Sequence, residues 1–292
     1  MIRAPDAADS RFATESGPAG PGAALVFAAE MYGLQLDQLA ALLAVADRRA
    51  SAIAARWVRD GLAETGRLGP GGRWVWLTKA GLASCGLAYT PAAPALSRLA
   101  HIRAVTAVRL ALEAAPGYAA GGAWWRGERR IRARLGGRLG GREHLPDGEV
   151  HWPEFPASAE IAPAEAAPSG AGLNAAGLNA AGLSGAAPAW AGECWAIEVE
   201  LTPKTVARTA AIMHELLTRT GDYGGPAGEA AVPGLPTRHH RVLYLCSPAA
   251  ARTVARARAG LDTASAARVE IRAVPPAALL PAPGAPRQAG RA

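Results

Sequence analysis

Hydrophobic positions recur three and four residues apart along the first third of the chain and two apart further on, so helices come first and a sheet follows. Ala23–Tyr32 reads as a short apolar helix. Leu34, Leu36, Leu39, Leu42 and Leu43 give a second, and Asp47 is placed to N-cap a third that runs to about Asp60 and stops at Gly61. On that third helix Ala50, Ile53, Ala54 and Trp57 share one face, while Arg48, Arg49, Arg56 and Arg59 centre on a face roughly 140° away at about 3.6 residues per turn. Leu62–Thr65 and Trp74–Leu77 read as two short strands around a Gly/Pro loop that carries Arg67 and Arg73, and Leu77-Thr78-Lys79-Ala80-Gly81 restarts a helix. Trp57, Trp74 and Trp76 are expected in the core.

Downstream, Leu96, Leu99, Ile102, Val105, Val108 and Leu112 mark a long helix. Arg142–Trp152 (REHLPDGEVHW) predicts two short strands around a Pro146-Asp147-Gly148 turn. Cys194–Thr202 (CWAIEVELT) predicts a strand with Ile197, Val199 and Leu201 on one face and Glu198 and Glu200 on the other, their Cα atoms about 6.6 Å apart. Pro203–Thr220 reads as a helix, Arg241–Ser247 as a buried strand, Pro248–Leu261 as a basic helix and Arg268–Val274 as a last strand. The fold class expected is α/β, α+β overall.

Low-complexity stretches punctuate this pattern. Residues 1–22 and 276–292 lack a period and read as disordered tails. Residues 156–189 carry a five-residue repeat, GAGLN-AAGLN-AAGLS, from Gly170 to Ser184; a period of five fits neither helix nor strand, and the segment reads as a disordered insertion in a folded domain. The expected domains are therefore 23–90 and 94–275, the second interrupted at 156–189.

Charge sharpens the picture. Residues 1–145 hold 19 Lys+Arg against 11 Asp+Glu, whereas residues 146–292 hold 12 against 13. A basic first half beside a near-neutral second half suits a polyanionic partner, with a solvated Arg-rich surface as the alternative. Seven Arg fall in the 17 positions from Arg126 to Arg142, among them Arg129 and Arg130; phosphate or full solvation would relieve that density. No apolar run approaches the roughly 20 residues that span a bilayer, and no basic-then-apolar leader opens the chain, so no membrane partner is expected and the expected setting is cytoplasmic. Cys85, Cys194 and Cys246 lie far apart and read as small core hydrophobes. His144 and His151 flank Asp147 without the further ligands a zinc site needs, and His239-His240 read as surface or edge residues. No phosphate-loop motif appears; the glycines of 136–141 lack its lysine.

The first block, LDQLAALLAV, DRRASAIAARWVRDG and LAETGRLGPGGRWVWLT, resembles a winged helix-turn-helix over about 65 residues. That resemblance implies a recognition helix presenting Arg48, Arg49, Arg56 and Arg59 to double-stranded DNA, with Arg67 and Arg73 following the backbone from the wing. Protein contact through the same fold is the alternative. The second block resembles the PD-(D/E)xK nuclease core, on Pro146-Asp147 and Glu198-Val199-Glu200. The 51 positions from Asp147 to Glu198 shorten to 17 without the 34-residue insertion, a length that lets the two carboxylates converge on one divalent ion. Hard oxygen ligands suit Mg²⁺, and the resemblance makes Asp147 and Glu198 the metal ligands, Glu200 and Lys204 catalytic companions, and Glu128 an additional upstream carboxylate. The family's lysine belongs at the Glu200 position, and here Lys204 lies four residues further on.

Taken whole, residues 24–275 resemble the replication-relaxation family of actinobacterial plasmids and integrative elements, on the winged-helix block, WWRGERRIR, PDGEVHW and WAIEVELTPKTVARTAAIMHELLTRTGDY. The resemblance implies a DNA-binding replication or maintenance factor of mobile DNA with a nuclease-like domain. Three functions stay open at this point. One is a Mg²⁺-dependent DNA endonuclease or nickase; the second is a binding factor with an inactive nuclease-like domain. The third is a transcriptional regulator whose C-terminal domain serves for sensing or for forming a homodimer. Tyr223 is expected to pack rather than act as a nucleophile.

Overall fold

The computed structural model describes residues 20–69, 71–134, 144–153, 190–219 and 238–278. The expected 156–189 insertion, Tyr223, the glycines of 136–141 and almost all of both predicted tails lie outside them. Two compact units are present, Met1–Leu110 with Val274–Ala292 and Ala111–Ala273, so the division falls inside the long helix, later than the 90–94 boundary expected. The chain is mixed α/β, with one three-stranded antiparallel sheet and one five-stranded mixed sheet. Among the described residues no helix is long and apolar enough to cross a membrane.

In the first unit α1 (Pro21–Glu30), β1 (Leu34–Gln35), α2 (Leu36–Leu42), α3 (Asp47–Arg59), β2 (Ala63–Gly66), β3 (Trp74–Leu77) and α4 (Lys79–Ser84) follow in the element order of a winged helix-turn-helix. Leu34, expected on a helix, instead starts β1, where it pairs with Val75 of β3. The helix begins two residues later, with Gln35 and Gln38 forming a reciprocal capping box. Asp47 is not the cap of α3: Ala46 occupies that position and Asp47 lies in the first turn, where a carboxylate favours the positive end of the helix dipole. Gly61 adopts φ +70°, the left-handed conformation that ends α3, and Leu62 N–H returns to the Trp57 carbonyl at 2.8 Å.

Trp57, Trp74 and Trp76 are buried, as expected, and Val75 and Leu77 beside the latter two are buried with them. Trp74 and Trp76 pack with Leu99 and Ile102 of α5 (Leu99–Glu113). Arg103 of the same helix is buried against α2, donating to both Asp37 carboxylate oxygens at 3.0 and 2.6 Å, while Gln38 donates to its carbonyl. A buried ion pair, Arg109 to Glu30 at 2.9 Å, ties α5 to α1.

The second unit contains α6 (Pro116–Ala120), β4 (Trp124–Gly127), α7 (Glu128–Arg134), β5 (Gly148–His151), β6 (Cys194–Glu200), α8 (Val206–Thr218), β7 (Arg241–Cys246), α9 (Pro248–Ala259), α10 (Thr263–Ala267) and β8 (Val269–Ala273). The sheet order is β4-β5-β6-β7-β8. β4, β5 and β6 pair antiparallel, and β6, β7 and β8 parallel. β6 lies at the centre with all seven residues buried, which is why apolar and acidic positions alternate along it without a solvent face. Ala196, Val242, Tyr244 and Cys246 pack with Ile212, Met213, Leu216 and Leu217 of α8 and with Ala250, Val254 and Ala257 of α9. At about 25 cal/mol per Å² of apolar surface removed from water, each such Leu or Ile contributes roughly 1.5–3 kcal/mol.

One sequence expectation for this unit changes. REHLPDGEVHW holds one strand among its described residues, Gly148–His151, and 144–147 approach it without regular structure. The WWRGERRIRAR segment divides between two elements, β4 and the helix Glu128–Arg134. Gly148 explains why glycine follows Asp147. A Cβ there would stand 2.0 Å from the Trp125 ring, so the indole packs directly on the backbone.

Candidate functional site

Directly opposed residues on paired strands share a face of the sheet. Because Gly148 pairs with Ile197 and Glu149 with Ala196, Asp147 stands opposite Glu198 at the entrance to β5. On the other side Glu198 pairs with Tyr244 and Glu200 with Cys246. Asp147, Glu198, Glu200, Tyr244 and Cys246 thus occupy one face, at the end of β6 from which α8 departs. The structure brings together the acidic residues that the sequence placed 51 positions apart.

Each carboxylate in this row is held differently. Asp147 Oδ2 accepts the Val199 backbone N–H at 2.8 Å, which locks the turn onto β6. Glu198, 4% exposed, meets His144 Nε2 at 2.8 Å. Glu200 is buried and forms an ion pair with Lys204, whose ammonium remains partly exposed. Lys204 therefore returns from the segment before α8 to the acidic row. Glu128 lies at the start of α7, its backbone N–H bonded to the Asp147 carbonyl at 3.1 Å. Its carboxylate, however, pairs with Arg132 one turn along at 2.6 Å.

Electrostatics follow from these partners. Burial pushes the Glu198 carboxyl up to about 7, and nearby Asp147 pushes the same way, against the pull of His144 and Lys204. His144 loses basicity by burial but regains more from Glu198 and Asp147, so it too is raised. The two shifts have different causes, burial for Glu198 and the neighbouring carboxylates for His144, and they leave carboxylate and imidazole side by side near neutral pH. His144 is fixed from behind: its N–H donates to Glu215 Oε1 at 2.8 Å and its carbonyl accepts from Arg219 at 3.1 Å, both on or beside α8. Sequence reasoning set His144 aside because its hairpin lacked further ligands, and the partner comes instead from β6.

A second buried cluster lies along the same face. Glu149, with no exposure, accepts from Arg238 at 2.7 and 2.8 Å, and meets His239 at 2.8 Å and His151 at 3.0 Å; Arg126 stands at 3.5 Å. Burial would raise its carboxyl, but the His151, His239 and Arg238 hydrogen bonds hold it well below the usual range. Arg126, expected at a DNA surface, is thus 6% exposed and engaged inside the protein; β4 turns it onto the buried face opposite Glu149. His239, expected at a surface or edge, is fully buried between Glu149 and the Leu216 carbonyl. Glu149, His151 and Cys194 bring ligand atoms within 4.8 Å of one another, a group with donors suited to a metal ion. Two guanidiniums beside Glu149 oppose a cation there. The local signal for this cluster was GEVH facing CWA, which gains meaning only with the strand register.

In the first unit Arg48, Arg49, Arg56 and Arg59 of α3 are exposed, opposite the buried Ala50, Ala54 and Trp57, and Arg67 and Arg73 are exposed on the β2–β3 connection. Arg56 reaches Asp60 at 3.6 Å. Arg129 and Arg130 on α7 are half-buried. No protein family, curated relative or solved structure matches this chain.

Proposed function

We propose that the protein binds double-stranded DNA through α3 and the β2–β3 wing, and that its second unit hydrolyses phosphodiesters at the Asp147–Glu198 row. On this reading it acts as a replication or maintenance factor of a plasmid or integrative element. The observation that carries the catalytic part is the meeting of Asp147 and Glu198 on adjacent strands, with Lys204 folded back onto Glu200. Hard carboxylate oxygens, with Glu198 raised to about 7 by burial and, less, by the Asp147 charge, are a donor set a divalent cation would stabilise. Asp147 and Glu198 would hold Mg²⁺, which supplies a low-pKa water and charge neutralisation when bound.

The chain's own groups divide the remaining work. The Val199 N–H fixes the Asp147 carboxylate, and His144 orients Glu198 and exchanges a proton with it. Lys204 stands partly exposed at the rim, within reach of a substrate phosphate. On α3 an exposed arginine face beside a rigid apolar one fits the major groove, while Arg67 and Arg73 reach the neighbouring backbone.

The test is nicking of supercoiled plasmid with Mg²⁺. The wild type nicks, and Asp147→Ala and Glu198→Ala lose nicking while keeping DNA affinity. Equal nicking by all three removes the assignment. A second reading has its own support: Glu200 stands where the nuclease lysine belongs and neutralises Lys204. On it the second unit is inert and the protein is a DNA-binding regulator. DNA binding without any Mg²⁺-dependent change in plasmid topology would favour that reading.

A further inference from the structure

Tyr244 lies on β7 beside Glu198, in register with it and on the same face. The residue is 1% exposed, and among the described residues its hydroxyl has no hydrogen-bond partner. Its apolar neighbours, Ala196, Ile212 and Met213 among them, offer the hydroxyl nothing. Negative charge does lie within electrostatic reach: after burial itself, Glu198, Glu200, Cys246 and Asp147 all push the phenol further from ionising. A phenol left unsatisfied in such a place is costly, and a phenylalanine would fill the same space without that cost. Buried polar groups of this kind are ordinarily satisfied by a bound water.

We propose that the Tyr244 hydroxyl is a positioning group for a divalent cation held by Asp147 and Glu198, anchoring a water of that ion from the neighbouring strand on the same face. This rests on the reading of Asp147 and Glu198 as ion ligands. The chemistry is specific. A small hard cation retains several waters, and each needs an acceptor or donor in the wall of its site. The carboxylates supply acceptors, and Tyr244 supplies a group that both accepts and donates. Tyr244 touches neither substrate nor reacting atoms, so its effect passes through the geometry of the ion.

The experiment uses Mn²⁺ as a paramagnetic probe on the full chain. Free Mn²⁺ is followed by electron paramagnetic resonance, and the waters on bound Mn²⁺ by solvent proton relaxation. Tyr244→Phe is expected to fold with a melting temperature equal to or above that of wild type. It is expected to bind Mn²⁺ about 10-fold more weakly, the lower end of what loss of such supporting partners costs, with altered relaxation per bound ion. Asp147→Asn and Glu198→Gln weaken binding further. Introducing 4-aminophenylalanine at position 244 restores a donor and acceptor there and recovers affinity; this variant also decides the matter should the phenylalanine form misfold. If Asp147→Asn and Glu198→Gln weaken Mn²⁺ binding while Tyr244→Phe changes neither affinity nor relaxation, the role of Tyr244 is wrong and the carboxylate site stands. If wild type binds Mn²⁺ no better than the carboxylate variants, the ion site itself falls, and this inference with it.

Discussion

Glu149 and Glu198 are buried glutamates on neighbouring strands, on one face of one sheet, yet their carboxyls are driven in opposite directions. Glu149 is surrounded by donors, two arginines and two histidines, and stays ionised far into acid. Glu198 has one histidine, a nearby aspartate of like charge and a lysine already engaged by Glu200, and it holds a proton up to about pH 7. Burial acts on both alike; partners decide. A carboxylate enclosed by cations is a structural anchor with no need of a ligand. One left short of them beside a second acid is where positive charge from outside is welcome.

The sharpest way to break this comparison is catalytic. Glu198→Ala should lower Mg²⁺-dependent nicking by about 100-fold or more, the loss expected when a metal's own ligand goes. Arg126→Ala, a change in the Glu149 cluster, should keep nicking within a few fold once compared at equal folded fraction in the same plasmid assay.

Stability separates the two glutamates next. Glu149→Ala removes the buried carboxylate that Arg126 and Arg238 face and should cost about 3–5 kcal/mol in urea unfolding. Glu198→Gln should cost little or stabilise, because it removes a buried charge that its surroundings undersupply. Equal losses would mean that Glu198 is as firmly anchored as Glu149.

pH dependence sharpens the contrast. The lowered Glu149 carboxyl contributes stability that is present above its unfolded value of about 4.3 and lost as pH falls toward its folded one. Glu198 has the opposite sign. Its raised carboxyl makes the folded state bind more protons between about 4.3 and 7, so its contribution declines as pH rises through that window, and deprotonation of the raised His144 adds to the decline. Unfolding curves for Glu198→Gln and wild type should coincide at or below about pH 4 and diverge progressively up to about pH 7, with the variant the more stable.

The smallest effect belongs to the first unit. Arg49→Ala with Arg56→Ala should weaken DNA binding and reduce the salt slope by roughly 2, about 0.9 for each phosphate contact removed. Arg126→Ala should leave that slope unchanged, since its guanidinium is buried against Glu149.

Much of this arrangement was legible in the sequence because periodicity reports burial. The α3 arginines, the three buried tryptophans and the alternation along β6 follow from spacing alone. The convergence of Asp147 with Glu198 was legible only through the resemblance to a nuclease core. Partners set by strand register were not legible at all. Arg126 looked like one more member of a basic run, yet β4 turns it inward toward a glutamate 23 positions away. His239 looked like an edge residue, but its partner is 90 positions upstream. Leu34 fitted a helix by spacing and became a strand because β3 offered it an open ladder.

One consequence concerns engineering. The β5–β6 pairing continues past its last ladder partners, with Trp152 N–H on the Glu193 carbonyl and Gly192 N–H on that of Trp152, each at 2.9 Å. These reciprocal bonds bring the two ends of the intervening 154–189 stretch together whatever its length. Closing a loop costs only about 0.6 kcal/mol more for each doubling. That junction is therefore a natural port, where a fluorophore, a peptide tag or a second protein can be spliced in at the end of β5 and β6 opposite the acidic row.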